Sequence, residues 1–167
     1  MNTKKPSHLN SAGGARMVDV GDKPLTPRVA VAEVTVQLNR EAFELARTNA
    51  SAKGALLTVA EIAGIQAAKR TADVIPLCHQ VPLDAVSLKF AFDDDSKFVI
   101  ITATVNCDAR TGVEMEALHA CAVAALTVYD MLKAVQRDIV ISDLRVLRKS
   151  GGATGDYQIP GKSSENK

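Results

Sequence analysis

The run DARTGVEMEALHACAVAALTVYDMLKAVQ, Asp108 to Gln136, forces the fold to accommodate one long helix that is apolar nearly all round. Such a helix belongs in a core, yet this one carries Glu116, His119, Thr127, Asp130 and Lys133. Ionisable groups stay out of cores unless they are paired or used. At about 100° per residue, Glu116, His119, Thr127 and Asp130 fall within about 80° of one another, so the helix has one polar face. Thr111 and Glu114 have the spacing of a capping box, which predicts a helix that begins at Gly112 with Glu114 in its first turn.

Glu116 and Asp130 nevertheless lie roughly 20 Å apart along the helix axis and cannot serve the same reacting atom within one chain. Asp130 and Lys133 are spaced i, i+3 and can meet, placing an acid and an amine together on a rigid element. That pair is the first candidate for proton transfer, and a surface ion pair is its plain alternative.

A chain of 167 residues suits one domain with a sizeable core, and the expected organisation is a flexible arm over 1–15, a catalytic domain over 16–157 and a flexible tail over 158–167. A net charge of +1 and the lack of a dense Lys/Arg block argue against a nucleic-acid surface but leave room for a small basic pocket. Cys78, Cys107 and Cys121 are odd in number and form no CxxC, so neither a disulfide framework nor a zinc ribbon is expected. The start lacks the apolar run of a secretory signal, and Glu61 and His119 interrupt the longest apolar stretches, so no membrane span is expected. These features point to a reducing, cytoplasmic setting.

Arg28 to Leu38 alternates like a half-buried strand, and Asn39 opens a short helix to about Thr48. Thr58 and Glu61 have capping-box spacing ahead of a helix expected to run to about Val74, before Pro76. Ala85–Phe92 and Phe98–Cys107 read as a hairpin turning at Asp93–Ser96, and Ile139–Leu147 as a last strand after the long helix. Strand, two helices, hairpin, long helix, strand is the order of an α+β fold. The best match is a ferredoxin-like plait, an antiparallel sheet with helices packed on one face, and a mixed α/β sheet is the alternative.

Ile75-Pro76-Leu77-Cys78-His79 places a thiol beside an imidazole at a helix end. Neighbours on an extended segment point to opposite faces, so Cys78 and His79 make a poor catalytic dyad and a poor chelate. His79 can act as a general acid or base or as a phosphate donor, whereas Cys78 reads first as a buried structural thiol. Lys53, Lys69 and Lys149 each read singly as solvated lysines and together as a phosphate-binding collar. KSGGATG, from Lys149, lacks the order of a nucleotide P-loop, so its amides suggest only a turn or an anion nest. Glu114 is expected to cap its helix, a role unavailable to Glu116.

GGARMVDV at 13–20, IAGIQAAKRTADVIPLCH at 62–79, TGVEMEALHACAVAALTVYDMLKAVQ at 111–136 and LRKSGGATGDY at 147–157 together resemble the MoaC family, the cyclic pyranopterin monophosphate synthases of molybdenum-cofactor biosynthesis. The resemblance runs from about His8 to Tyr157. It implies a ferredoxin-like core, a homohexamer built as a trimer of dimers with sites at subunit interfaces, and a small-molecule nucleotide triphosphate substrate. It implies no cofactor, and no ligand cluster demands a metal, although magnesium can ride on phosphate oxygens. By the same resemblance Asp130, Lys133 and Lys53 carry catalysis. Leu77, Cys78, His79, Met115, Glu116, Glu114, Lys69 and Lys149 are implied to contact substrate. Gln80-Val81-Pro82 departs from the family's usual Pro after the His, and His119 from its usual small or hydroxyl residue.

The implied reaction converts 3',8-cyclo-7,8-dihydroguanosine triphosphate to cyclic pyranopterin monophosphate and pyrophosphate by general acid/base catalysis. Two other classes compete with it. One is a non-catalytic nucleotide-binding or assembly subunit, and the other a metal-dependent cyclohydrolase using Cys78 and His79.

Overall fold

A computed structural model describes residues 7–48, 55–152 and 155–160 of the chain. The elements run β1 (Thr26–Gln37), α1 (Arg40–Thr48), α2 (Leu56–Lys69), α3 (Thr71–Val74), β2 (Ala85–Asp93), β3 (Phe98–Ala109), α4 (Glu114–Leu132), β4 (Val140–Ser150) and β5 (Tyr157–Gln158). The strands form a single sheet in the order β2-β3-β1-β4-β5, and every pairing is antiparallel. Leaving β5 aside, this is the β-α-β-β-α-β path of the ferredoxin-like plait, and a mixed sheet is ruled out.

Alternation decides which face the helices cover. Ala30, Ala32, Val34 and Val36 of β1 are fully buried, as are Val99, Ile101, Ala103 and Val105 of β3. Across the strands Val34 stands opposite Ile101 and Ala32 opposite Ala103, so these residues line one face. On the other face Ser87, Lys89 and Ala91 of β2 are exposed.

α4 lies across β1, β3 and β4, and α2 packs on β2 and α4. The stripe buried by α4 is Ala117, Ala120, Cys121, Ala124, Ala125, Val128 and Leu132, at i, i+3, i+4 spacing. Its small residues let the helix approach the sheet closely, and Cys121 Sγ comes within 3.7 Å of Ile101 O. α2 comes as near to α4 at Gly64, where a Cβ would stand 2.6 Å from Leu88 Cδ2 and 2.9 Å from Ala120 O.

Both capping boxes are absent. α4 begins at Glu114 rather than Gly112, its N-cap is Val113, and no side chain caps it, so Glu114 is not a capping residue. α2 begins at Leu56, two residues ahead of Thr58, behind an uncapped Ala55. Asn39, by contrast, accepts the Ala42 N–H at 2.8 Å through Oδ1 and caps α1. The helix expected to reach Val74 breaks at Arg70, because the buried Thr71 hydroxyl reaches back to the Ala67 and Ala68 carbonyls at 3.2 and 3.0 Å and competes for them. Among the described residues α4 is, by length and composition, apolar enough to cross a membrane, contrary to the sequence expectation, but half of that stretch is buried in this fold.

Candidate functional site

β1, the end of β3, the start of α4 and the end of β4 converge on a cavity of about 350 Å³. Lys23, Arg28, Arg110 and Lys149 bring cationic groups to it, with Glu114 and the Thr111-Gly112 turn on the same wall. Four cations in one small cavity favour a multiply charged anion, since each gains from the others' ligand contacts. Arg28 is held rather than mobile: it is 8% exposed, and its Nε donates to Ala109 O at 3.2 Å.

The turn after β4 explains how Arg28 fits. Gly151 and Gly152 have φ of +88° and +87°, a backbone region that L side chains avoid. A Cβ on Gly152 would overlap the Arg28 guanidinium, and one on Gly151 would overlap Pro27 O. The glycines therefore let the β4 turn close over Arg28. Gly151 N–H is meanwhile taken by Asp156 Oδ1 at 3.1 Å.

A second cavity of about 200 Å³ shares Arg110 and Thr111 with the first and is lined by Val20, Leu25, His79, Val81 and Pro82 among others. His79 Nε2 lies 2.7 Å from Val18 O. Leu77, Cys78 and His79 are all half-buried in the loop after α3. Burial raises the Cys78 thiol above its ordinary pKa, and the charges of Glu116 and Glu114 add to the effect. A thiol so placed stays protonated near neutrality and is a poor nucleophile. Burial likewise pushes Cys107 up to about 11 and Cys121 up to about 12.

Glu116 is 4% exposed, and its Oε2 has no hydrogen-bond partner. Burial raises its carboxyl above the usual range, with the Glu114 charge acting in the same direction. Met115 beside it is 37% exposed. The start of α4 thus joins Glu114, Glu116, Cys78 and the paired cavities.

Asp130 and Lys133 stand at the opposite end of α4, Nζ to Oδ1 at 2.6 Å, with side chains 57% and 54% exposed. That carboxylate raises the Lys133 ammonium above its ordinary pKa. Lys149 lines the larger cavity, whereas Lys69 ends α2 exposed and lines neither cavity. Lys53 lies outside the described residues. The described cations at the cavity are Lys149 with Lys23, Arg28 and Arg110. Among the described residues no three His, Cys, Asp or Glu side chains gather as metal ligands.

The comparisons with known proteins agree with one another. The chain is 51% identical over 154 residues to the cyclic pyranopterin monophosphate synthase of Chloroflexus aurantiacus, an alignment covering 92% of this chain and 94% of that protein. It is 52% identical over 157 residues to molybdenum cofactor biosynthesis protein 1 of Drosophila melanogaster, covering 94% of this chain and 28% of that protein. The molybdenum cofactor biosynthesis protein 1 of Mus musculus is 51% identical over 151 residues, and the chain spans 24% of it. The chain therefore matches nearly all of the bacterial synthase and about a quarter of the two animal proteins. Residues 17–152 match the MoaC family, and with relatives this similar along nearly the whole chain, the protein belongs to that family.

Proposed function

We propose that this chain is a cyclic pyranopterin monophosphate synthase, converting 3',8-cyclo-7,8-dihydroguanosine triphosphate to cyclic pyranopterin monophosphate and pyrophosphate. The observation that carries this reading is the cationic cavity of about 350 Å³, set beside the His79 cavity with Arg110 and Thr111 lining both. The triphosphate takes the cationic lobe, and the purine-derived ring takes the lobe near His79, Met115 and Glu116. Leu77 and Cys78 precede His79 in the loop beside that lobe and contact substrate with it, Lys69 contributes from a neighbouring subunit, and Lys53 is a further catalytic group.

The rearrangement moves protons on ring atoms and needs no hydride acceptor, work for which Asp130 and Lys133 are suited as acid and base. In the closing step a sugar hydroxyl oxygen bonds to the α-phosphorus as the bond to pyrophosphate breaks, and the hydroxyl proton passes to a base. Arg28, Arg110 and Lys149 stabilise the charge that leaves with pyrophosphate.

Within one chain, Asp130 is roughly 20 Å along α4 from Glu116, too far for both to serve the same reacting atom. The site is accordingly shared between subunits of an oligomer, one giving the cavities and a neighbour the Asp130 end of α4. Incubation of the purified protein with the cyclised nucleotide tests the reading: pyrophosphate release supports it, and binding without release overturns it. One observation favours a binding or assembly subunit instead, namely that Asp130 and Lys133 engage each other at an exposed helix end. The same assay decides between the two.

A further inference from the structure

The stretch before β1 is built into the site rather than trailing from it. His8 to Arg16 form a closed turn, in which Arg16 N–H donates to His8 O and Asn10 Oδ1 accepts the Ala12 and Gly14 N–H groups at 3.0 and 2.7 Å. Beyond the turn Val18 and Val20 are half-buried while Met17, Asp19 and Gly21 are exposed, so the segment lies on the body with alternate residues inward. It gives Ser7 and Lys23 to the cationic cavity, and Val20 and Leu25 to the His79 cavity. Its bond to the His79 side chain is the contact between His79 Nε2 and Val18 O at 2.7 Å.

A backbone carbonyl only accepts, so at this distance Nε2 of His79 must carry the hydrogen. In the neutral ring Nδ1 then holds the lone pair.

We propose that Val18, through its backbone carbonyl, is a positioning residue for His79: it fixes the neutral ring with the proton on Nε2 and leaves Nδ1 as the nitrogen able to accept a proton or hydrogen bond from substrate. The role given to Nδ1 rests on the synthase reading above; the bond that fixes the ring does not. Orientation of a catalytic imidazole by a backbone carbonyl at its far nitrogen is a general device, and here it makes the segment before β1 a wall of the site.

Three measurements on the full chain test this. In the ¹⁵N-labelled protein at about pH 9, where imidazole is neutral, long-range ¹H–¹⁵N spectra should place the His79 proton on Nε2; a proton on Nδ1 overturns the proposal. His79→Gln keeps an amide nitrogen near the Nε2 position and can still donate to Val18 O, whereas His79→Asn is too short. Trypsin should therefore cut after the exposed Arg16 about fivefold faster in the Asn variant than in wild type or Gln, the factor for one hydrogen bond. Equal cutting of all three overturns the latch. His79→Gln should also lose turnover while keeping the latch, and wild-type turnover in that variant overturns the role given to Nδ1. The spectrum and the cleavage need no substrate, so they stand even if pyrophosphate release by the unaltered protein fails.

Discussion

Glu116, buried at the start of α4, acts on Cys78 in the loop after α3: its charge adds to burial in keeping the Cys78 thiol protonated. Removing that charge while keeping the shape, as in Glu116→Gln, should speed alkylation of Cys78 at fixed pH. The rate of thiol loss to iodoacetamide measures this, and no change would mean that burial alone sets the thiol's behaviour.

The same substitution has a consequence for stability. Burial raises the Glu116 carboxyl, so on raising the pH the unfolded chain releases this proton before the folded one does. Between the ordinary carboxylate range and the raised value the native state holds more protons, and stability from this group falls as pH rises. Below that window both states are protonated and the penalty is gone. Glu116→Gln should therefore be more stable than wild type at neutral pH and equal to it in mild acid, as denaturant titrations across pH will record.

Gly152→Ala should harm anion binding beyond its effect on the backbone. A φ of +87° costs an alanine on the order of 1–2 kcal/mol, and its methyl must also displace the Arg28 guanidinium. Gly155→Ala provides the control: its φ of +69° carries the same kind of strain, but nothing lies within 4 Å of an added Cβ. Calorimetry with inorganic pyrophosphate should find weaker binding for Gly152→Ala and little change for Gly155→Ala.

Lys149→Ala and Arg110→Ala should each raise KM for the triphosphate by roughly tenfold, the effect of losing one charge-assisted contact of about 1.5 kcal/mol. The deficit should shrink as added salt screens the remaining attraction. Lys69→Ala is the more demanding case, because Lys69 lines neither cavity. It should weaken binding only in the oligomer, so measurements at high and low protein concentration will separate a contribution from a neighbouring subunit from no contribution.

A shared site predicts complementation. Asp130→Asn should keep the fold and lose about 100-fold or more in turnover, and His79→Ala should also be inactive. Mixed under conditions of subunit exchange, the two should regain part of the activity through sites that draw each intact residue from a different chain. No recovery despite exchange verified by native mass spectrometry would place His79 and Asp130 in the same subunit's half of the site.

The strands and the long helix were legible in the sequence because alternation and i, i+4 patterning act locally: β1, the β2–β3 hairpin and α4 all appear where periodicity places them. The capping boxes failed because Thr-x-x-Glu spacing at Thr58 and Thr111 is a pattern of types, and tertiary packing already holds these helix starts without a side-chain cap. β5 is two residues long and pairs only with Arg148 and Lys149, too little for any periodicity to register. The cationic cavity was half legible. Lys149 stood out beside glycines, but Arg28 read only as the start of a strand. Its place in the site depends on Gly151 and Gly152 closing over it from the far end of the chain. The separation of Glu116 from Asp130 needed only the rise of a helix, so the gap between the two ends of α4 was the most secure inference from sequence.

The alanine stripe of α4 also decides which kinds of change this protein can absorb. Ala117, Ala120, Ala124 and Ala125 are fully buried, and each offers only one methyl to lose. Truncation there removes little, whereas enlargement meets a sheet already in contact, at about 1–3 kcal/mol for each overpacked position. Natural drift along this helix should thus run among Ala, Gly, Ser and Cys, and a library of larger side chains should lose folded members first at these four sites. The core is vulnerable to gain of volume more than to its loss.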